Sequence, residues 1–222
     1  MSAVVCLSGG LDSCVTLYEA RAREDGDVAA LHFSYGQRTS ARERRAFDAI
    51  CDYAGVSRKL VVEQPALTSI GGSALTDRSI DVPTDEPGAG IPITYVPFRN
   101  GQILAVACAW AEALGAGAVY VGAVEEDSSG YPDCRAAFFE AFARAVDVGT
   151  RPETSIRIET PVLHLDKAGI VARGRELGAP LELSWSCYQA DDVACGVCES
   201  CRLRLRGFER AGFEDPIAYA AR

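Results

Sequence analysis

The 222-residue sequence has little of several residue types on which common functions depend. It holds two histidines, two tryptophans and one methionine, and His32 and His164 match no catalytic arrangement. No apolar run approaches the roughly 20 residues that a transmembrane helix needs. The start of the chain also lacks the basic segment of a secretion signal. These absences predict a cytoplasmic protein that has no membrane partner.

Positive charge is scarce as well. The chain has 22 Lys and Arg against 31 Asp and Glu, so its formal net charge is −9. A nucleic-acid-binding protein normally presents a basic face that displaces counterions from phosphates. The basic cluster of Arg202, Arg204 and Arg206 is too small to offset the acidic total. The composition therefore argues against nucleic acid and favours small-molecule substrates or protein partners.

The order of apolar segments predicts an α/β fold. Short apolar runs at Ala3–Leu7, Val28–Phe33 and Leu60–Val62 alternate with helical patterns, and the alternation resumes after Pro97. Such alternation is typical of a parallel sheet that carries helices on both faces. We predict an α/β domain over residues 1–183 and a smaller C-terminal unit over residues 184–222, where the cysteine-rich segment begins and a helix follows.

Residues 63–92 interrupt this order, because hydrophobic periodicity disappears there and Asp, Pro and Gly accumulate. A segment of this length without secondary structure is usually functional or disordered when it lies within a compact domain. Two interpretations stay open for it: a mobile lid over an active site, or a disordered insertion.

A glycine turn, SGGLDS at residues 8–13, follows the first predicted strand and precedes a helix. Ligands of open α/β sheets bind at the carboxyl ends of the strands. The two glycines allow close backbone approach, and the N–H groups of the helix start attract anions. Asp12 is suited to orient a magnesium ion. The alternative is a capped turn without a ligand; a Walker A loop is excluded, since no Lys-Ser/Thr follows the glycines.

Four of the nine cysteines are spaced C-x7-C-x2-C-x2-C near the C-terminus. Four thiolates make a closed tetrahedral zinc site that has a structural role. An iron–sulfur cluster uses similar ligands and remains an alternative. We predict that structural zinc organises residues 184–222 through Cys187, Cys195, Cys198 and Cys201.

These motifs occur together in one family. SGGLDS resembles the pyrophosphate loop of the ATP pyrophosphatases, which split ATP between its α- and β-phosphates. The other matching pieces are Tyr35–Arg38 (YGQR), Tyr95–Asn100 (YVPFRN), Ser129–Arg135 (SGYPDCR), Ser186–Tyr188 (SCY) and Cys195–Phe208. With all of them, the chain resembles the 7-cyano-7-deazaguanine synthase family along nearly its full length.

The resemblance implies a Rossmann-like fold, a homodimer and a zinc-bearing C-terminal subdomain. It also implies ATP with Mg²⁺ as the activating reagent for the carboxylate of 7-carboxy-7-deazaguanine. Ammonia then converts the acyl-adenylate to the amide, and a second ATP activates the amide for dehydration to the nitrile.

The resemblance further implies which residues form the site. A carboxylate accepts the N–H groups on one edge of the deazaguanine, a tyrosine stacks on its ring, and an arginine holds the substrate carboxylate or a phosphate. The expected substrate contacts are Asn100, Asp127, Tyr131, Asp133 and Arg135. The expected ATP contacts are Ser8, Gly9, Gly10, Leu11, Asp12, Ser13, Tyr35, Gln37 and Arg38. The expected catalytic residues are Asp12, Ser13, Arg99 and Lys167.

The chain departs from the family pattern after YGQR, where Thr39 and Arg42 replace a His and a Glu. By this interpretation a base and an acid are missing at the place of the nucleophile. One alternative is therefore a relative from anti-phage defence that joins the deazaguanine to a protein amine. A second is a zinc-containing binding module without catalytic activity.

Overall fold

The computed structural model describes residues 1–84, 90–125 and 130–220. Its five strands are β1 (Ala3–Cys6), β2 (Val28–Ser34), β3 (Lys59–Glu63), β4 (Ala118–Val121) and β5 (Arg157–Glu159). Its helices are α1 (Leu11–Arg23), α2 (Ser40–Tyr53), α3 (Ala66–Ile70), α4 (Arg99–Leu114), α5 (Ala136–Gly149), α6 (Lys167–Glu176) and α7 (Glu199–Ala211). Short 3₁₀ turns lie at Pro132–Cys134 and Leu181–Leu183. Within these described ranges, no helix has the length and apolar character that a membrane span requires.

All strand pairs are parallel, and the strand order is β3-β2-β1-β4-β5. The chain first builds outward from β1 through β2 to β3. It then returns to the other side of β1, where β4 pairs with it. Ala3 of β1 therefore pairs with Val28 of β2 on one side and with Ala118 of β4 on the other. This arrangement confirms the predicted parallel sheet.

Alternate residues of β1 contact two different layers of helices. Val5 belongs to the core on the face covered by α1, α2, α6 and α7, whereas Val4 packs in the core on the face covered by α4 and α5. Both side chains are fully buried. The prediction that helices lie on both faces of the sheet is therefore confirmed.

The segment after β3 contains structure that periodicity did not reveal. It forms the short helix α3, and Leu67 and Ala74 are fully buried. The guanidinium of Arg38 donates to the carbonyl oxygens of Ala74, Asp77 and Ile80, so long-range hydrogen bonds hold this part of the chain. The predicted mobility and lid role of residues 63–92 stay predictions, and residues 85–89 lie outside the described residues.

The C-terminal helix packs tightly against α6. A Cβ atom added at Gly207 would lie 2.6 Å from Cγ of Lys167, so only glycine permits this approach. Arg204, also on α7, is 1% exposed and pairs with the buried carboxylate of Asp215 at 2.9 Å. It also donates to the hydroxyl of Ser184. The division of the chain between residues 183 and 184 stays a prediction.

The Arg204–Asp215 pair generates a stability prediction. Arg204→Met should lower the free energy of unfolding by about 3–5 kcal/mol, because it leaves a buried carboxylate without its partner. Arg210→Met on the same helix is the control, since the Arg210–Asp166 pair lies at the surface and should contribute at most about 1 kcal/mol. Urea unfolding measures both, and equal losses would contradict the prediction.

Candidate active site and metal cluster

A cavity of about 270 Å³ opens at the carboxyl ends of β1, β2 and β4. It lies where the strand order reverses around β1, which is the usual ligand position in open α/β sheets. The parts of the chain that line it include the SGGLDS turn, the YGQR turn, the start of α4, and the C-terminal segment around the cysteines. The topology thus brings together motifs that are far apart in sequence.

The SGGLDS turn presents the start of α1 to this cavity. Gly10 is the N-cap of α1 and makes no side-chain capping hydrogen bond, which leaves the N–H groups of the first turn available to a ligand. The hydroxyls of Ser8 and Ser13 lie 3.0 Å apart, and Ser13 Oγ donates to the carbonyl oxygen of Gly10. This arrangement is suited to bind an anion such as phosphate.

Two glycines allow the turn to fit between its neighbours. Gly9 has a φ of +94°, and a Cβ atom there would lie 2.5 Å from the carbonyl oxygen of Glu43. A Cβ atom at Gly122, just after β4, would lie 2.9 Å from the backbone nitrogen of Ser13. A side chain at Gly9 would push the turn away from α2, and one at Gly122 would push it away from the end of β4, so both glycines are needed for this close packing.

Lys167, the first residue of α6, reaches the turn. Its ammonium group donates to both carboxylate oxygens of Asp12, at 2.8 and 2.9 Å. Both residues line the cavity, as does Ser13. The structure therefore brings three of the four predicted catalytic residues together at one end of the cavity.

The YGQR turn forms the adjacent wall, and Tyr35, Gln37 and Arg38 all line the cavity. The hydroxyl of Tyr35 accepts a hydrogen bond from Arg99 at 2.8 Å, so the fourth predicted catalytic residue belongs to this wall. The side-chain oxygen of Gln37 accepts from the Tyr35 backbone N–H at 2.9 Å. The guanidinium of Arg38 instead donates to carbonyl oxygens of the segment that follows α3.

Sequence reasoning missed Glu43 on the same wall. Its carboxylate accepts hydrogen bonds from Gln37 Nε2 and from Thr39 Oγ1, each at 2.9 Å. Burial raises the pKa of Glu43, and those two hydrogen bonds act in the opposite direction. A carboxyl group with a raised pKa at a cavity wall is suited to acid–base catalysis.

The expectation that this wall lacks an acid is therefore wrong. Arg42 stands where the resemblance implies a glutamate, and its guanidinium carbon lies 4.3 Å from the ring centroid of Trp185. Glu43 is the next residue of α2, and it supplies the carboxyl group to the cavity. Glu43 directly follows Arg42 in the sequence, so an acid one residue after the expected position was the available signal.

The predicted substrate contacts divide into two sets. Asn100 and Tyr131 line the cavity. Asp133 is 3% exposed, and its carboxylate accepts from the backbone N–H of Asn100 at 2.8 Å, so it fixes the start of α4. Arg135 is exposed at the start of α5, and Asp127 lies outside the described residues.

The C-terminal segment contributes cavity residues that sequence reasoning did not single out. Trp185, Tyr188 and Glu199 all line the cavity. The backbone N–H of Trp185 donates to the carbonyl oxygen of Gly9 at 2.8 Å, which fastens this segment to the anion-binding turn. These residues are close in sequence to the cysteine motif, and this was the available signal. A cluster that orders the segment also fixes the positions of the residues next to the cysteines.

The four predicted cysteine ligands converge. The sulfur atoms of Cys187, Cys195, Cys198 and Cys201 all lie within 4.8 Å of one another. Cys187 Sγ accepts backbone N–H groups from Gln189, Ala190 and Cys195 at 3.3–3.4 Å. Such donors stabilise thiolates that bind a metal. The donor set and its spacing therefore fit one tetrahedral metal ion.

This cluster generates a prediction about metal content. The purified protein should carry about one metal ion per chain, the complement of a four-thiolate site. Cys198→Ser should lose the ion. Cys108→Ser should retain it, because Cys108 is a thiol on α4 that is buried in the core and does not belong to the cluster. Elemental mass spectrometry measures both, and a metal-free wild type of normal stability would contradict the prediction.

An anion-binding turn at the reversal of a parallel sheet, with a four-cysteine cluster in the segment that lines one side of the cavity, is typical of an α/β protein that binds a phosphate-bearing ligand. The chain belongs to the family described as queuosine biosynthesis protein QueC, which matches residues 2–212.

Relatives of this family resemble the chain over nearly its whole length. It is 54% identical to a 7-cyano-7-deazaguanine synthase of Campylobacter curvus, over 98% of this chain and 97% of that protein. The protein of the same name from Acidobacterium capsulatum is 56% identical, over 99% and 97% of the two chains. Among solved structures, NMN synthetase from Francisella tularensis is 15% identical over 100% of this chain and 89% of its own, with a TM-score of 0.47.

Proposed function

We propose that this chain is an ATP-dependent carbon–nitrogen ligase that converts 7-carboxy-7-deazaguanine to 7-cyano-7-deazaguanine. The observation that carries the proposal is the full-length identity of more than half with relatives of that name. The preformed anion-binding turn supports it, because adenylation requires a group that binds the pyrophosphate of ATP. No reported relative is named as an enzyme that conjugates a protein amine, so that alternative has no support here.

Adenylation takes place at the SGGLDS turn in this proposal. The free N–H groups of α1 and the hydroxyls of Ser8 and Ser13 bind the phosphates that become pyrophosphate. Lys167 stabilises the negative charge that develops between the α- and β-phosphates. Asp12, paired with Lys167 at 2.8 Å, holds that ammonium in place and is the residue suited to hold Mg²⁺.

Amide formation and dehydration both require removal of protons from nitrogen. Ammonia attacks the acyl-adenylate, the nitrogen loses a proton, and AMP leaves. A second ATP then activates the amide oxygen, and loss of the remaining N–H protons with AMP gives the nitrile. Glu43, with its raised pKa and its place on the cavity wall, is suited to accept these protons.

We assign zinc to the cysteine cluster. Zinc–sulfur bonds of about 2.3 Å in a tetrahedron place the sulfur atoms about 3.8 Å apart. Cys195 Sγ and Cys201 Sγ lie 3.9 Å apart, which agrees with that spacing. With four thiolate ligands no position is left for substrate, so the zinc has a structural role. Ammonia as the nitrogen source, the homodimer and the cytoplasmic location are further parts of the proposal.

The direct test is a reaction of the purified protein with ATP, 7-carboxy-7-deazaguanine and ammonium. Mass spectrometry should detect 7-cyano-7-deazaguanine, together with AMP and pyrophosphate in place of ADP. Ser13→Ala should slow pyrophosphate release by about a hundredfold, as loss of a preorganised contact typically does. Formation of ADP, or accumulation of the amide alone at high ammonium, would refute the proposal.

A second prediction concerns the protons. Glu43→Gln should lower the rate of nitrile formation by about a hundredfold or more, the range typical of a lost acid–base group. Exchange of pyrophosphate into ATP, which reports adenylation alone, should change little. Asp48→Asn is the control, because Asp48 lies on the same helix and pairs with Arg44 near the surface.

The pH dependence distinguishes this role from a structural one. A base acts in its ionised form, so wild-type nitrile formation should fall as the pH falls through the pKa of Glu43. That pKa is raised, so the fall should begin at a higher pH than an ordinary carboxyl group would give. Glu43→Gln should lack this acidic limb. If both proteins keep the same limb, Glu43 is not the base.

A further inference from the structure

The geometry points to Glu199 as the residue that recognises the substrate ring, with its carboxylate accepting the ring N–H and the 2-amino N–H of the deazaguanine. This inference rests on the proposed function and specifies how that substrate is bound. Asp127 and Asp133 were the carboxylates expected from the sequence for this role. Asp133 instead accepts from the backbone of Asn100, whereas Glu199 lines the cavity.

The position of Glu199 is fixed by its surroundings. It is the first residue of α7 and lies between the cluster cysteines Cys198 and Cys201. Both of these cysteines are nearly fully buried, so the backbone that carries Glu199 is held on both sides. Its own side chain is only partly buried. A negative charge at the first turn of a helix is also favoured by the helix dipole.

Glu199 shares its end of the cavity with aromatic rings and one cation. Burial raises the pKa of Tyr131 to about 12, and it raises the pKa of Tyr188 as well; the charge of Glu199 acts in the same direction on both. Arg99 acts in the opposite direction on both tyrosines. All four side chains line the cavity, so two aromatic rings, an acid and a guanidinium face one space. This combination is suited to a flat ring that carries N–H donors on one side and a carboxylate on the other.

The hydrogen bonds of the acidic side chains in the cavity show which of them can still accept hydrogen bonds from a ligand. Three acidic side chains of the described residues line the cavity. Asp12 accepts from Lys167, and Glu43 accepts from Gln37 and Thr39. Glu199 has no hydrogen-bond donor or ion-pair partner among the described residues. A carboxylate in a cavity loses solvation when a ligand enters, so it requires donors from that ligand.

The proposed orientation also places the reacting group correctly. In a 7-deazaguanine, the edge with the ring N–H and the 2-amino group lies opposite carbon 7. Binding of that edge to Glu199 therefore directs the 7-carboxylate away from α7. The anion-binding turn also lines the cavity, and its residues belong to α1 and the turn before it, not to α7. The ring is held at the wall of the cysteine cluster while adenylation proceeds at the turn.

The test measures equilibrium binding by calorimetry, so that it does not depend on turnover. Two ligands are used: 7-carboxy-7-deazaguanine and its analogue without the 2-amino group. The wild type should bind the first more tightly by about tenfold or more, the range of a hydrogen bond to a charged group. Glu199→Gln should bind 7-carboxy-7-deazaguanine about 10- to 100-fold more weakly and should lose most of the discrimination between the two ligands.

Two controls accompany this measurement. Glu209→Gln lies on the same helix at an exposed position and should bind like the wild type. The metal content of Glu199→Gln should equal that of the wild type, which shows that the cluster is intact. Unchanged discrimination in Glu199→Gln would overturn the inference even if the enzyme makes the nitrile. A wild type that binds the acid as proposed but makes no nitrile would refute the function and leave the binding role supported.

Discussion

The reversal of strand order at β1 is the constraint on which the site depends. Strands β2 and β3 lie on one side of β1, and β4 and β5 lie on the other. The helix that follows β1 packs on one face of the sheet, and α5, which follows β4, packs on the opposite face. The two connections therefore diverge at the carboxyl ends of the strands and leave a crevice between them. The anion-binding turn is the first connection, so its place in the crevice follows from the topology.

The C-terminal segment, which carries the cysteine cluster, lines one side of the crevice. Ser186 and Tyr188 flank the ligand Cys187, and Glu199 and Ser200 lie between two further ligands; all four line the cavity. The core around this segment combines three buried cysteines with Trp185 and a few smaller apolar residues. Metal binding in small zinc peptides contributes about 10–16 kcal/mol, which can offset the cost of ordering such a segment. The cysteine cluster therefore lies in the segment that forms this wall of the cavity.

Hydrogen bonds connect this wall to the two turns opposite. The backbone N–H of Trp185 donates to the carbonyl oxygen of Gly9. The hydroxyl of Thr39 donates to the carboxylate of Glu43 at 2.9 Å, and its oxygen lies 3.3 Å from the carbonyl oxygen of Cys187. Thr39 therefore lies between the proposed base and the cysteine cluster. A change at the cluster would be transmitted directly to the catalytic wall.

Features encoded by local pattern were predictable from the sequence, and features that depend on tertiary contacts were not. Alternating apolar runs predicted the sheet, and fixed spacings predicted the anion-binding turn and the cysteine cluster. The helix α3 and the buried Leu67 were missed, because bonds from Arg38 to the chain after α3 hold that region and they have no local period. The same reason explains Asp133: its sequence context marked it as a ligand for substrate, but its carboxylate meets the start of α4 only in the folded chain.

The two-stage reaction explains why recognition and chemistry belong on opposite walls. The group at carbon 7 changes from acid to amide to nitrile, and each of the first two must meet the same anion-binding turn. The edge with the ring N–H and 2-amino group does not change during the reaction. A carboxylate that binds this edge holds the acid and the amide in the same position, so one turn and one base can serve both activations. Glu199, whose backbone is fixed by the cysteine cluster, meets that requirement. A contact to the group on carbon 7 would instead be lost when that group changes from acid to amide.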